Sequence, residues 1–249
     1  MGPLTPHLSE RTWPEVEAYL SERSGIFLPT GSTEQHGPVG LIGTDTLCAT
    51  LIADRAAGLT GALVAPPLAY TPAPFNTAFP GTLSLSTGLF EAMATEILQG
   101  LVAQGFRRIF VLNGHGANLA PLAAAAGQLP DGTVCLRSWW DFPSVGELRK
   151  HHYGAWEGMH ATPSEIAITR AVGRTVEHPA AEVPPVALSP DYIAAHSGDR
   201  HGPPAEHRAA FPDGRVGSHS ALGRPEHGRA LLAAAAQAAA DAFTAFESR

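Results

Sequence analysis

The chain has 249 residues, an apolar fraction of 44% and a formal net charge of −7 from 16 Lys and Arg against 23 Asp and Glu. That length suits one α/β unit around one sheet, and an acidic balance without a basic stripe speaks against a nucleic-acid backbone as partner. The longest apolar run, the alanine-rich stretch 230–240, is too short to span a bilayer. Glu10, Arg11, Glu15 and Glu17 stand where a signal peptide needs an apolar core, so a soluble cytoplasmic protein with no membrane partner is expected.

The apolar run 25–29, ending in Pro29, predicts a strand. The turn-rich segment 30–43 and the apolar-periodic 46–57 then predict a loop and a helix. A second unit opens at 62–70, crosses a Pro-rich loop and enters a helix on which Phe90, Met93, Ile97, Leu98 and Leu101 keep a 3.6-residue period, until Gly105 ends it. Residues 107–112 (RRIFVL) predict a strand running into Asn113-Gly114-His115-Gly116. Helix 117–126, strand 133–139 and helix 163–172 follow. Strands alternating with helices predict a three-layer αβα sandwich around a mainly parallel sheet, with ligands beyond the carboxyl ends of the strands. Loops 30–45 and 113–118 begin at such ends.

From 178 to 228 the pattern dissolves into Pro, Gly and His, with one possible short element near Tyr192. A stretch of about fifty residues without regular structure reads as an arm, a lid or an interface. A helix over 225–246 closes the chain. The organisation expected is a single domain over 1–249 carrying an arm or lid at about 178–228.

Cys48 and Cys135 lack a partner at zinc-finger spacing and read as small buried hydrophobes, so any metal here takes N and O ligands. In Gly31-Ser32-Thr33-Glu34-Gln35-His36-Gly37-Pro38 the Glu and His sit at i and i+2, which in an extended chain points both to one side. Asp45 follows at the start of a helix, where a carboxylate can equally serve the backbone donors. His115 lies between two glycines directly after a buried strand, a place that suits a ligand or a solvated loop histidine. Together these four form a mixed N/O set suited to Zn²⁺, Mn²⁺ or Fe²⁺. His151 and His152 beside Lys150 read as exposed.

These segments, with Gly43-Thr44-Asp45, Phe79-Pro80-Gly81-Thr82 and a late 217–228 loop, resemble the signature of the creatininase family through most of the chain. The resemblance implies that Glu34, His36, Asp45 and His115 are metal ligands, with Asp45 bridging two ions. Members commonly carry His-Ala-Gly-x-x-Glu-Thr-Ser; this chain has His160-Ala161-Thr162-Pro163-Ser164-Glu165-Ile166-Ala167. That alignment makes Glu165 a fifth ligand, although Thr162-Pro163-Ser164-Glu165 is also a capping box. It makes His160 the catalytic residue that moves protons and Trp156 a pocket aromatic that binds substrate. Creatininase itself has a Glu where Ala117 stands and another where Met159 stands, so creatinine is not the expected substrate.

The function implied is a metal-dependent amidohydrolase that cleaves a non-peptide or cyclic C–N bond of a small polar molecule with metal-activated water. A mycofactocin-type peptidase and a formamide hydrolase are the alternatives within the family, and a non-catalytic metal-binding scaffold is the alternative outside it. An open groove would favour the peptidase, and closure by 178–228 a small-molecule enzyme. A homo-oligomer, a hexamer by the same resemblance, is expected.

Overall fold

In the computed structural model, which describes residues 5–249, the sheet consists of β1 (Gly25–Thr30), β2 (Leu63–Val64), β3 (Arg108–Asn113) and β4 (Val134–Ser138). Their order is β2-β1-β3-β4 and every pairing is parallel, with Thr30 opposite Asn113 at the carboxyl ends of the central pair. The helices are α1 (Trp13–Glu22), α2 (Thr44–Thr60), α3 (Thr87–Gln104), α4 (Leu119–Ala126), α5 (Pro143–Tyr153), α6 (Pro163–Val172), α7 (Pro179–Glu182), α8 (Pro190–His196), α9 (Pro204–Ala210) and α10 (Pro225–Glu247). Among the described residues no helix is long and apolar enough to cross a membrane.

The two-residue period of the strands divides the core. Phe27, Phe110 and Leu112 point to one face, where they meet α2, α5, α6 and α10. Ile26, Leu28, Ile109 and Val111 point to the other, where α3 and α4 cover them. This is the three-layer sandwich expected. Phe27 stacks on Phe243 of α10 with ring centroids 4.4 Å apart. Complete burial of such a side chain is worth roughly 1.5–3 kcal/mol. Ala235, Ala236, Ala239 and Ala240 form the buried stripe of α10, and their small size lets it lie close to the sheet layer. Cys48 is buried in the same core, while Cys135 is half-buried at its edge. Pro29 is tolerated inside β1 because β2 pairs only as far as Phe27, so no ladder donor is lost, and the Pro29 carbonyl accepts from Leu68 N at 3.0 Å.

Two helices escaped the sequence reading. α1 begins with Pro14 behind a Thr12/Glu15 capping box, a start signal that was present in the sequence. α5 starts at Pro143 and carries His151, which is exposed, and His152, which is half-buried and stacks on His227 at 4.0 Å.

The segment 178–228 also differs from expectation, because it is only partly irregular. It holds α7, α8 and α9, with Pro179, Pro190 and Pro204 leading them, and a 3-10 turn at Ser220–Leu222. α8 coincides with the element suspected near Tyr192. Helices of four to seven residues are too short for a hydrophobic period to show in sequence.

Candidate metal centre

Three chain segments meet at the carboxyl ends of β1 and β3. Glu34 and His36 lie on the loop leaving β1, Asp45 opens α2, and His115 follows β3. Gly31 and Gly114 permit the meeting: a Cβ on Gly31 would lie 2.2 Å from Thr46 N, and one on Gly114 would lie 2.4 Å from Asp45 O. Asn113 fixes the next loop, donating from Nδ2 to His115 O at 2.7 Å, while Asn118 donates to Gly31 O at 2.8 Å.

Each imidazole has one nitrogen tied to the backbone and the other turned to carboxylates. His115 Nε2 donates to Pro72 O at 2.7 Å, leaving Nδ1 3.1 Å from both Glu34 Oε1 and Asp45 Oδ2. His36 Nδ1 donates to Glu34 O at 3.1 Å, leaving Nε2 2.8 Å from Asp45 Oδ1. Asp45 therefore sends one oxygen to each histidine, and Ser32 Oγ donates to its Oδ2 at 2.7 Å. A second carboxylate, Glu165, reaches the His36 side. Both capping bonds to Thr162, at 2.7 and 2.9 Å, use its Oε2, and Oε1 takes no part in the cap.

Two sets, Glu34–Asp45–His115 and His36–Asp45–Glu165, each bring three ligand atoms within 4.8 Å of one another and share Asp45. His160 forms a further set with Glu34 and His36. All of these side chains are buried, and the groups that face Glu34 Oε1 are the ring nitrogens of His115 and His160, at 3.1 and 3.7 Å. Ligands about 2.1 Å from one tetrahedral ion lie about 3.4 Å apart. The N/O donor set and the backbone-fixed imidazoles thus fit divalent ions.

The charges point the same way. Burial opposes ionisation throughout, yet the neighbouring carboxylates, Asp45 first, push His36 up to about 10, and Glu34 and Asp45 raise His115 well above the ordinary histidine value. Against its own burial, Asp45 is held well below the usual carboxylate range by His36 and His115. Burial pushes Glu165 up to about 7, with Asp45 adding to the rise. Burial pushes His160 down to about 4. Metal-free protein at pH 7 thus holds a proton on the inward nitrogen of His36 and of His115, where an ion would sit. Zinc uptake by chelator-treated protein is expected to release at least two protons per chain at pH 7, one from each histidine with a further part from Glu165, read by calorimetry in buffers of different ionisation enthalpy. Release of none would remove the histidines from the ligand set.

The same shifts fix the sign of the pH dependence without metal. His36, raised from 6.5 to about 10, contributes stability that is complete below about pH 6.5 and lost as pH rises towards 10. Asp45, depressed from 3.8, contributes stability that is present above that value and lost as pH falls further.

Sequence reasoning missed several groups. Asn76 is buried, donates from Nδ2 to Glu34 Oε2 at 2.8 Å and accepts from Gln35 Nε2 at 2.8 Å, holding the Glu34 carboxylate in place. Its signal was proximity to Phe79-Pro80-Gly81-Thr82; Thr82 Oγ1 accepts from Gln35 N. Asp199 carried no motif signal, and its Oδ2 lies 3.6 Å from His115 Nδ1. Trp156 stands edge-on to His219 at 5.9 Å, whereas the aromatic walls of the cavity over the site come from Trp139 and Trp140. That cavity has a volume of about 350 Å³, and Asp45, His115, His160 and Glu165 open into it.

Comparison with known proteins agrees with this geometry. The creatinine amidohydrolase model of the creatininase family matches residues 9–243. Creatinine amidohydrolase of Pseudomonas putida is 30% identical over 209 residues, covering 74% of this chain and 80% of that one. The mycofactocin precursor peptide peptidase of Mycolicibacterium smegmatis is 39% identical over 110 residues, 42% of this chain and 44% of the peptidase. A crystal structure of creatininase superposes with a TM-score of 0.78 at 26% identity, over 99% of this chain and all of the other. Since the family model runs through nearly every element that builds the site, the chain belongs to the creatininase family.

Proposed function

We propose that the protein is a metal-dependent amidohydrolase that cleaves a cyclic or otherwise non-peptide C–N bond of a small polar substrate. The observation that carries this reading is the arm's share in the cavity: Ile193, Ser197, Gly198 and Asp199 line it together with Asp45 and His115. A peptidase needs a groove through which a chain can run, and a cavity of about 350 Å³ with the arm in its wall suits a small molecule. Solved creatininases include a manganese form and a Zn-Zn type, which supports Mn²⁺ or Zn²⁺ here, two ions per chain with Asp45 shared. Ala117 and Met159, which stand where creatininase has glutamates, turn the specificity away from creatinine.

Glu34, Asp45 and His115 would hold one ion, and His36, Asp45 and Glu165 the other. When bound, such ions lower the pKa of a water and polarise the carbonyl it attacks. His160 handles the proton. Its Nε2 donates to Gln35 O at 2.7 Å, so Nδ1 faces the site, 3.7 Å from Glu34 Oε1. Burial keeps the ring neutral at pH 7, so Nδ1 first accepts a proton from the attacking water and then delivers it to the leaving nitrogen.

The test is metal analysis together with hydrolysis of a panel of lactams, formamides, ureas and short peptides. Turnover of a lactam, formamide or urea with peptides left intact is expected. Peptide cleavage alone would move the assignment to a mycofactocin-type peptidase, the reading favoured by the higher identity of that shorter match. Inertness of fully metal-loaded protein would leave a binding scaffold.

Glu165→Gln is expected to lower the affinity for the His36-side ion, because a neutral amide is a poorer ligand than a carboxylate. It should cost about 1 kcal/mol of stability or less, since Gln can still close the capping box. Metal content unchanged in that variant would confine Glu165 to the cap. By the family resemblance the protein is a homo-oligomer, with the arm among its contacts. Light scattering at micromolar concentration is expected to report a species larger than the monomer.

A further inference from the structure

The arm brings a carboxylate to the place where the loop after β3 has only Ala117. We propose that Asp199 is a ligand of the ion held by Glu34, Asp45 and His115, supplied to that site by the arm. This rests on the metal-dependent reading above. Asp199 lies between α8 and α9, far along the chain, yet its Oδ2 accepts from Ala117 N at 3.0 Å and stands 3.6 Å from His115 Nδ1. Glu34 Oε1 and Asp45 Oδ2 stand 3.1 Å from that same nitrogen. Because Nε2 of His115 is committed to Pro72 O, Nδ1 is the atom on which the three oxygens converge. Glu34, Asp45 and His115 bring their ligand atoms within 4.8 Å of one another, and Asp199 Oδ2 stands outside that set on the His115 side. In metal-free protein the protonated imidazole is the cation among the three carboxylates, and a bound ion takes its place.

Two features of the chain hold Asp199 there. Gly116 leaves the space for it: a Cβ at that position would lie 2.3 Å from Asp199 Oδ2. Asp199 itself has φ +54°, a left-handed conformation that non-glycine residues rarely adopt, and its side chain is only 12% exposed. The strained backbone turns the carboxylate inward, past Gly116, to the nitrogen of Ala117. Binding of the ion then ties the arm to the sheet, and occupancy of this site and closure of the arm over the cavity become one event.

The experiment is a Zn²⁺ titration against a chromophoric chelator, run on wild-type protein, Asp199→Asn and Gly116→Ala. Asn keeps an oxygen that can accept from Ala117 N, so the loop retains its anchor and only the charge is lost. Ala at 116 keeps every ligand side chain in the sequence and crowds the Asp199 carboxylate. Each variant is expected to bind one ion more than about a hundredfold more weakly, beyond the 10–100-fold that loss of an outer-shell partner typically costs, with the other ion unaffected. Tryptic cleavage after Arg200, an exposed residue next to the ligand, should be slowed by Zn²⁺ in the wild type and much less so in Asp199→Asn. Two ions bound by Asp199→Asn with wild-type affinity would overturn the proposal and leave the amidohydrolase reading standing. A wild-type protein that takes up no zinc would overturn both.

Discussion

Asp45→Asn is expected to remove bound metal from both sides of the site and to abolish turnover. The carboxylate sends Oδ1 to His36 and Oδ2 to His115, so each set of ligands loses a charged member in one substitution. Several kcal/mol of transition-state stabilisation go with the ions, and each 1.36 kcal/mol is tenfold in rate, so the fall should be about a thousandfold or more. Stability should fall as well. Metal-free, the variant leaves His36 buried without its charge partner, and breaking such a pair costs about 3–5 kcal/mol. Elemental analysis after dialysis, paired with urea unfolding, separates the two effects. Wild-type metal content in Asp45→Asn would assign the carboxylate to the first turn of α2 alone.

His160→Ala is expected to keep its metal and lose turnover by on the order of a hundredfold or more, the usual contribution of a positioned acid–base group. The ring lies outside the two sets that share Asp45, although it faces Glu34 and lies 4.5 Å from the His36 ring, centroid to centroid. Its removal should fall on kcat rather than on ion affinity, because the backbone-anchored Nε2 leaves only Nδ1 to work with and that atom faces the cavity. His151→Ala and His152→Ala, both on α5, serve as controls with no change in either quantity. Full activity in His160→Ala would take the residue out of the mechanism. Loss of an ion would instead make it a ligand through its grouping with Glu34 and His36.

The sheet and the loops of the site were legible in the sequence because both depend on local patterns. β1 and β3 are short apolar runs that end in turn-forming residues. The i, i+2 spacing of Glu34 and His36, the helix start at Asp45 and the Gly-His-Gly after β3 place four side chains at the ends of adjacent parallel strands. Once those strands pair in register, the side chains have nowhere else to meet. Glu165 was legible as a candidate ligand through the family alignment, while the capping box read from four consecutive residues accounts for one of its oxygens.

The contacts made between distant segments were left for the tertiary structure to decide. Asn76, signalled only by the nearby Phe79-Pro80-Gly81-Thr82, orients Glu34 across 42 positions, and Asp199, with no motif beside it, reaches Ala117 across 82. Trp139 and Trp140, rather than Trp156, face the cavity because β4 ends beneath it while Trp156 turns to His219. The helices of the arm are too short to carry a period, and they take their places by packing over the site. A pattern in sequence encodes which way a side chain leaves its own strand or helix. Which distant side chain it then meets depends on how the chain crosses over the sheet, and that is settled only when the core of Phe27, Phe110 and Phe243 closes beneath it.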